Sequence, residues 1–305
     1  MERRLFLKTA TVSALGVVSF SSVSSVALAA AKKKRIPISV QVYSVRKAAE
    51  KDLAEALKKI AEIGYEGVEF AGYYGKDPKE VRKFLDDAGL KCSGTHTGIG
   101  ALRGDNFEKT IELHKTLGTQ FIIVPGGIDK ELHSVEGNKK IAEEFNKLAE
   151  KAKAVGMVIG YHAHGGDAKL IDGIPAWERF FDATTPDVLM EMDLGNYRAG
   201  GGDPYKMIEK FKGRSKAVHL KESGDAIIGA GEIDWKRTFE LCETIGGTQW
   251  YVVEDEKSAD SFDRIEQCYA ALKEMGKTKD ANPNPENSRT GRRTRFNGLR
   301  RLIRG

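Results

Sequence analysis

From residue 36 onward the chain alternates short apolar runs with longer stretches in which apolar residues recur every three or four positions. The short runs are "ISVQVYS", "GVEF", "KCSGTH", "FIIVPG", "MVIGYHAH", "VLMEMDLGN", "KAVHLKE" and "WYVVEDE". Their length and their content of β-branched and aromatic residues read as strands. The stretches between them, such as "DLAEALKKIAEIG", "DPKEVRKFLDDAG", "NFEKTIELHKTLG" and "GNKKIAEEFNKLAEKAKAVG", read as amphipathic helices. Several end in glycine, at Gly64, Gly89, Gly118 and Gly156, the usual residue after a helix C-terminus. Strand-then-helix units filling residues 36–276 match the roughly 250 residues of a (β/α)8 barrel. A doubly wound open sheet would carry a glycine-rich phosphate turn after an early strand, and "GVEFAGYYGKD" has no G-x-G-x-x-G. The expected fold is α/β, a single (β/α)8 barrel closed by the helix "SADSFDRIEQCYAALKEMG".

Charge divides the chain differently from hydrophobicity. The formal net charge is +5, yet residues 1–35 hold seven Lys/Arg and one Glu, and residues 277–305 hold nine Lys/Arg and two acids. The body between them carries −8. An acidic body argues against a surface that tracks phosphates, so no nucleic-acid partner is expected. Residues 1–29 read as an export signal: "MERRLFLK" is a charged start, "TATVSALGVVSF" an apolar stretch, and "ALA" at Ala27–Ala29 a small-x-small cleavage site. Arg3-Arg4 followed by Leu5, Phe6, Leu7 and Lys8 is similar to the twin-arginine pattern, which implies a periplasmic or other extracytoplasmic location. No other segment approaches about 18 uninterrupted apolar residues, so stable membrane insertion after cleavage is not expected. Residues 277–305 read as a basic, solvated tail. Cys92, Cys242 and Cys268 have no C-x-x-C spacing and are expected to be buried, unpaired thiols.

In a (β/α)8 barrel the functional groups stand at the C-terminal ends of the strands. Those ends are rich in ionisable residues: Glu69, His96, His162 and His164, Asp193, His219 and Lys221, and Glu254. Burying such charges unpaired costs several kcal/mol each, roughly, which a bound cation would offset. Side chains alternate faces with period two, so His162 with His164, Glu191 with Asp193, His219 with Lys221, and Glu254 with Glu256 share faces. Consecutive strands thus aim imidazoles and carboxylates at the barrel axis. A mixed His/Asp/Glu set suits one divalent Mn, Zn, Co or Fe ion better than calcium.

The succession "VQVYSVR", "GYEGVEFAG", "YHAH", "MDLGN", "AVHLKE", "GAGEIDW" and "YVVEDE" resembles the xylose-isomerase-like barrel family of sugar phosphate isomerases and epimerases. The resemblance spans nearly all of residues 36–276. It implies a metal held by His162, Asp193, His219 and Glu254, with His164 the alternative ligand on the fifth strand. His162 stands where epimerase-like members have glutamate, which removes one base of their two-glutamate proton shuttle. Glu254, His164 and Lys221 are then the catalytic candidates, and Glu69, His96 and Glu232 the candidates for binding substrate around the mouth. His114 and His133 are expected on the surface, and Trp177 and Trp235 in packing roles.

The implied activity is a metal-dependent isomerisation or epimerisation of a small carbohydrate by proton abstraction next to a carbonyl. Export favours a free or oxidised sugar over a phosphorylated one. Elimination on the same site, a lyase or dehydratase acting on keto-sugars or keto-glycosides, is the close alternative, and a non-catalytic sugar-binding barrel is a third. An endonuclease-IV-like activity needs a three-zinc cluster with more histidines than the six of this chain supply at the barrel.

Overall fold

The computed structural model describes residues 35–257 and 261–281. Eight parallel strands close into a barrel: β1 (Ile38–Gln41), β2 (Gly67–Phe70), β3 (Lys91–His96), β4 (Phe121–Val124), β5 (Val158–His162), β6 (Leu189–Asp193), β7 (Ala217–Leu220) and β8 (Trp250–Val253). Each strand pairs with its neighbours in sequence, and β8 returns to β1 through registers such as Val40 opposite Val253. This is the expected (β/α)8 barrel. The principal outer helices are α1 (Leu53–Ile63), α2 (Pro78–Ala88), α3 (Asn106–Leu117), α4 (Val135–Ala154), α5 (Ala176–Ala183), α6 (Pro204–Lys210), α7 (Trp235–Leu241) and α8 (Asp263–Glu274).

The helix boundaries follow from local chemistry. Asp52 and Ser134 accept from the free amides of Glu55 and Gly137 at the starts of α1 and α4. Asp77 and Asp203 do the same before a proline in the first turn, where a missing N–H is harmless. Each helix then lays its apolar stripe on the barrel, as with Leu57 and Ile60 of α1. The first run ends earlier than its apolar pattern suggests. Gln41 accepts from the Tyr43 amide at 3.1 Å and turns residues 42–45 into a single 3-10 turn.

Inside the barrel, polarity is graded along the axis. Phe121, Ile123 and Leu189 form a buried apolar layer towards the N-terminal end, against Val158 and Trp250. Gly160 lets them meet, since a Cβ there would stand 2.8 Å from both Ile123 and Leu189 side chains. Above this layer the inward positions are mostly polar or ionisable, with Val252 opposite His219 an apolar exception, so the apolar floor supports a charged interior. The three cysteines are buried and unpaired, as expected. Residues 277–281 continue the barrel: Thr278 is buried, and Lys277 pairs with Glu243. Residues 1–29, expected to be an export signal, and residues 282–305 of the expected tail lie outside the described residues. No described helix is long and apolar enough to cross a membrane.

Candidate functional site

The site has two storeys. The upper one opens on a cleft and contains His162, Asp193, His219, Lys221 and Glu254. The lower one contains the buried Gln41, Glu69 and Glu191 and the partly exposed His96. Period-two alternation explains the pairing on β6, where Glu191 stands low and Asp193, two residues on, stands higher.

Asp193 ends β6 and begins a short helix, Leu194–Ala199. Its Oδ1 accepts from the Asn196 amide at 2.7 Å, which leaves Oδ2 aimed into the barrel. Gly195 is required here, because a Cβ would collide with the carbonyl of Glu222 beyond β7. The "DLGN" segment is therefore a strand end, a cap and a close crossing in four residues. Asp193 Oδ2 is buried without a hydrogen-bond partner. Around it stand His162 Nε2 and His219 Nδ1, each 3.8 Å away, and Lys221 Nζ at 3.9 Å. Glu254 Oε2 lies 3.0 Å from His219 Nδ1 and 3.6 Å from Lys221 Nζ. His162, Asp193, His219 and Glu254 offer ligand atoms within 4.8 Å of one another. An unpartnered buried oxygen facing two imidazole nitrogens and a second carboxylate fits a divalent ion with bonds near 2.0–2.2 Å, about the usual lengths for N and O ligands.

Electrostatics sorts the roles. Burial pushes the Asp193 carboxyl above its ordinary range, with Lys221 opposing. Burial acts on Glu254 in the same direction, but His219 and Lys221 outweigh it and hold that carboxyl low and ionised. Burial alone would lower Lys221, yet Asp193 and Glu254 raise it, so it stays an ammonium. Burial, with His219 and His96 nearby, holds the His162 ring neutral, the form that ligates a metal. Burial and His96 also lower His164, whose ring packs edge-on to His162 at 4.8 Å and faces the open mouth.

Glu69 and His96 do not stand at the mouth, where the sequence reading placed them. Both point against the imidazoles of the upper storey; Glu69 is 1% exposed, and His96 keeps its ring partly open, its Nε2 3.1 Å from Glu69. Gly94 on β3 makes this possible, since a Cβ there would stand 2.8 Å from Glu69 Oε1, and a register shift between β2 and β3 at Val68/Glu69 aligns them. Glu232 is exposed and does not line the cleft. Its neighbourhood is organised by Glu222, which sequence reasoning passed over because it points away from the Lys221 face. Glu222 accepts from the amides of Gly229 and Ile233 and from Trp235 Nε1, tying down the loop between β7 and α7. Trp235 thus has a hydrogen-bonding role besides packing, while Trp177 is wholly buried against Tyr161 and Phe181.

Of the two histidines expected on the surface, one is not there. His114 is buried on the inner face of α3, its Nδ1 2.6 Å from the Thr110 carbonyl and its Nε2 against Thr95. His133 is half-buried, with Nε2 3.0 Å from the Gly166 carbonyl.

After β5, Asp167 holds the chain in place by accepting from the His164 amide at 2.7 Å and from Tyr161 OH at 3.3 Å. Burial pushes its carboxyl up to about 7, far above the usual carboxylate range. A folded-state value above the unfolded one means that stability falls as pH rises from about 4 to about 7, because only the folded state resists losing the proton. Asp167→Asn removes that dependence. The difference in Tm between variant and wild type is expected to shift in favour of the variant across this window and to stay flat above it, as measured by thermal melts at fixed ionic strength.

The cleft beside the upper storey encloses about 380 Å3 and is lined by Asn196, Lys221, Glu254, Glu256 and Lys257, among others. Its lining mixes charged side chains with apolar ones such as Ile228, and its size suits a small molecule. Residues 57–278 match the family model described as xylose isomerase-like TIM barrel. The chain is 25% identical over 268 residues to an inosose dehydratase of Lacticaseibacillus casei, which covers 73% of this chain and 89% of that protein. It is 26% identical over 257 residues to an inosose dehydratase of Erwinia tasmaniensis, covering 68% and 84% of the two chains. A sugar phosphate isomerase/epimerase from Parabacteroides distasonis superposes with a TM-score of 0.69 at 27% identity, covering 79% of this chain and 94% of that one. Fold, strand-end chemistry and matched length agree: the chain belongs to the xylose isomerase-like TIM barrel family.

Proposed function

We propose that this protein is a metal-dependent lyase that removes water from a keto-sugar or keto-cyclitol, beginning with proton abstraction next to the carbonyl. The observation that carries the reading is geometric: a carboxylate and an amine, Glu254 and Lys221, stand 3.6 Å apart where both line the cleft. Elimination needs one base for the C–H bond and one acid for the departing hydroxyl. Glu254 takes the proton, Lys221 gives one to the hydroxyl, and the hydroxyl leaves as water. Epimerisation needs a second base on the opposite face, and His162 stands where the epimerase pattern has that glutamate. A divalent ion held by His162, Asp193, His219 and Glu254 would act as a Lewis acid on the substrate's carbonyl oxygen. The dehydratase relatives support elimination, with an inosose as the first substrate to try.

A second reading, sugar isomerase or epimerase, is favoured by the likeness to the Parabacteroides protein and by His164, which is free at the mouth to carry a second proton. The export-like segment at residues 1–29 supports a place outside the cytoplasm and a free sugar as substrate. The test is incubation of metal-loaded protein with inosose and a panel of keto-sugars in D2O, followed by NMR. Loss of one water with formation of an enone is expected. Deuterium uptake without loss of water assigns the isomerase, and neither change across the panel leaves a sugar-binding barrel without catalysis.

A further inference from the structure

Among the described residues, two groups are placed to hold a metal, and they share two histidines. The upper group is His162, Asp193, His219 and Glu254; the lower is His96, His162, Glu191 and His219. They use opposite nitrogens of the shared rings. His162 turns Nε2 towards Asp193 and Nδ1 towards Glu191, which is 3.1 Å away. His219 turns Nδ1 towards Asp193 and Glu254, and Nε2 towards Glu69, which is 2.7 Å away. One ring cannot serve both sets with one lone pair, so something must choose which nitrogen is bare.

The carboxylates of the lower storey make that choice. Glu69 Oε2 is held by the Gln41 amide at 2.9 Å, and Glu191 is fully buried. His96 Nε2 sits between them, 3.1 Å from Glu69 Oε2 and 2.9 Å from Glu191 Oε2, and joins the two carboxylates into one assembly. Glu191 takes the N–H of His162 at Nδ1 and leaves Nε2 bare; His219 faces a carboxylate at each nitrogen, and its shorter contact, to Glu69 at Nε2, leaves Nδ1 for the ion once Glu254 is itself a ligand. The cleft argues the same way: Glu254 of the upper set lines it, with Lys221 beside it, and none of the four residues of the lower set does.

We propose that Glu69 and Glu191 are positioning residues that fix the nitrogens of His219 and His162, so that Nδ1 of His219 and Nε2 of His162 are presented to a metal in the upper storey. The inference rests on the metal-dependent reading above and adds to it which nitrogens bind and what orients them. It also gives Glu69 and His96 a task other than touching substrate.

The test uses the full protein with Zn2+. Nitrogen-15 NMR of the Zn2+-loaded wild type reports directly which ring nitrogen is ligated; His162 through Nε2 and His219 through Nδ1 are expected. Chelator competition then gives the Zn2+ affinity of variants whose fold is checked by circular dichroism. Glu69→Ala and Glu191→Ala are each expected to lose about 10- to 100-fold, the usual cost of removing such a partner, and Glu69→Gln and Glu191→Gln to recover part of it through their amide oxygens. Ligation of His162 through Nδ1, or Ala variants with wild-type affinity, overturns the inference and leaves the metal-dependent reading standing. Loss of Zn2+ in His96→Ala but not in Asp193→Ala likewise overturns it, by assigning the lower set. A wild type that binds no Zn2+ overturns both. Should the Ala variants fail to fold, the wild-type NMR alone decides.

Discussion

Glu254→Gln is expected to slow turnover of the substrate by about 100- to 10,000-fold, the range over which a positioned general base contributes. The substitution keeps the shape of the side chain and an oxygen near His219 Nδ1, and removes the capacity to take a proton. Metal content is measured on the same samples, so that loss of the base is separated from loss of a ligand. A fall in kcat at near-normal metal content assigns proton transfer to Glu254. A kcat within a few-fold of wild type removes Glu254 from the reaction. Because His219 and Lys221 hold this carboxyl low, the wild type is not expected to lose activity through its protonation anywhere near neutral pH. A decline between pH 6 and 8 has to come from another group.

The strands and their inward faces were legible because period-two alternation is a local property. Asp193 and His219 could be placed on the axis from "MEMD" and "AVHL" alone, and the structure brings them together with His162, Lys221 and Glu254. What alternation does not give is height along the axis. Glu69 and His96 were placed at the mouth because they close their strands, but a register shift beside Val68/Glu69 and the room left by Gly94 seat them below. Glu191 was placed on the correct face and given no task, since its value depends on three imidazoles from other strands. His114 was recoverable. It continues the buried stripe Phe107, Ile111 and Leu117 on α3, and that spacing should have outweighed its polarity. The short antiparallel pair Leu170–Ile171 and Ile174–Pro175 was also signalled, by Asp172-Gly173, both at positive φ as a two-residue hairpin turn requires.

Asp193→Ala combined with His219→Ala is expected to abolish metal binding, leaving less than about a tenth of the wild-type metal after dialysis, since each residue supplies a ligand that no neighbour replaces. The wild type should gain thermal stability on adding metal, by about 2.7 kcal/mol at a hundredfold excess over Kd. The double variant should melt at the same temperature with metal or with chelator. The pH dependence follows from the unpartnered oxygen. Burial raises the metal-free Asp193 carboxyl, so near neutrality a metal must displace a proton from it, and affinity is expected to weaken by up to about tenfold for each unit that pH falls below that group's raised value. Equal metal content in variant and wild type overturns the assignment of this site. A wild-type affinity that does not change between pH 5 and 8 places the ion on groups other than Asp193, because burial with no hydrogen bond to Oδ2 raises that carboxyl and Lys221 at 3.9 Å offsets only part of the rise.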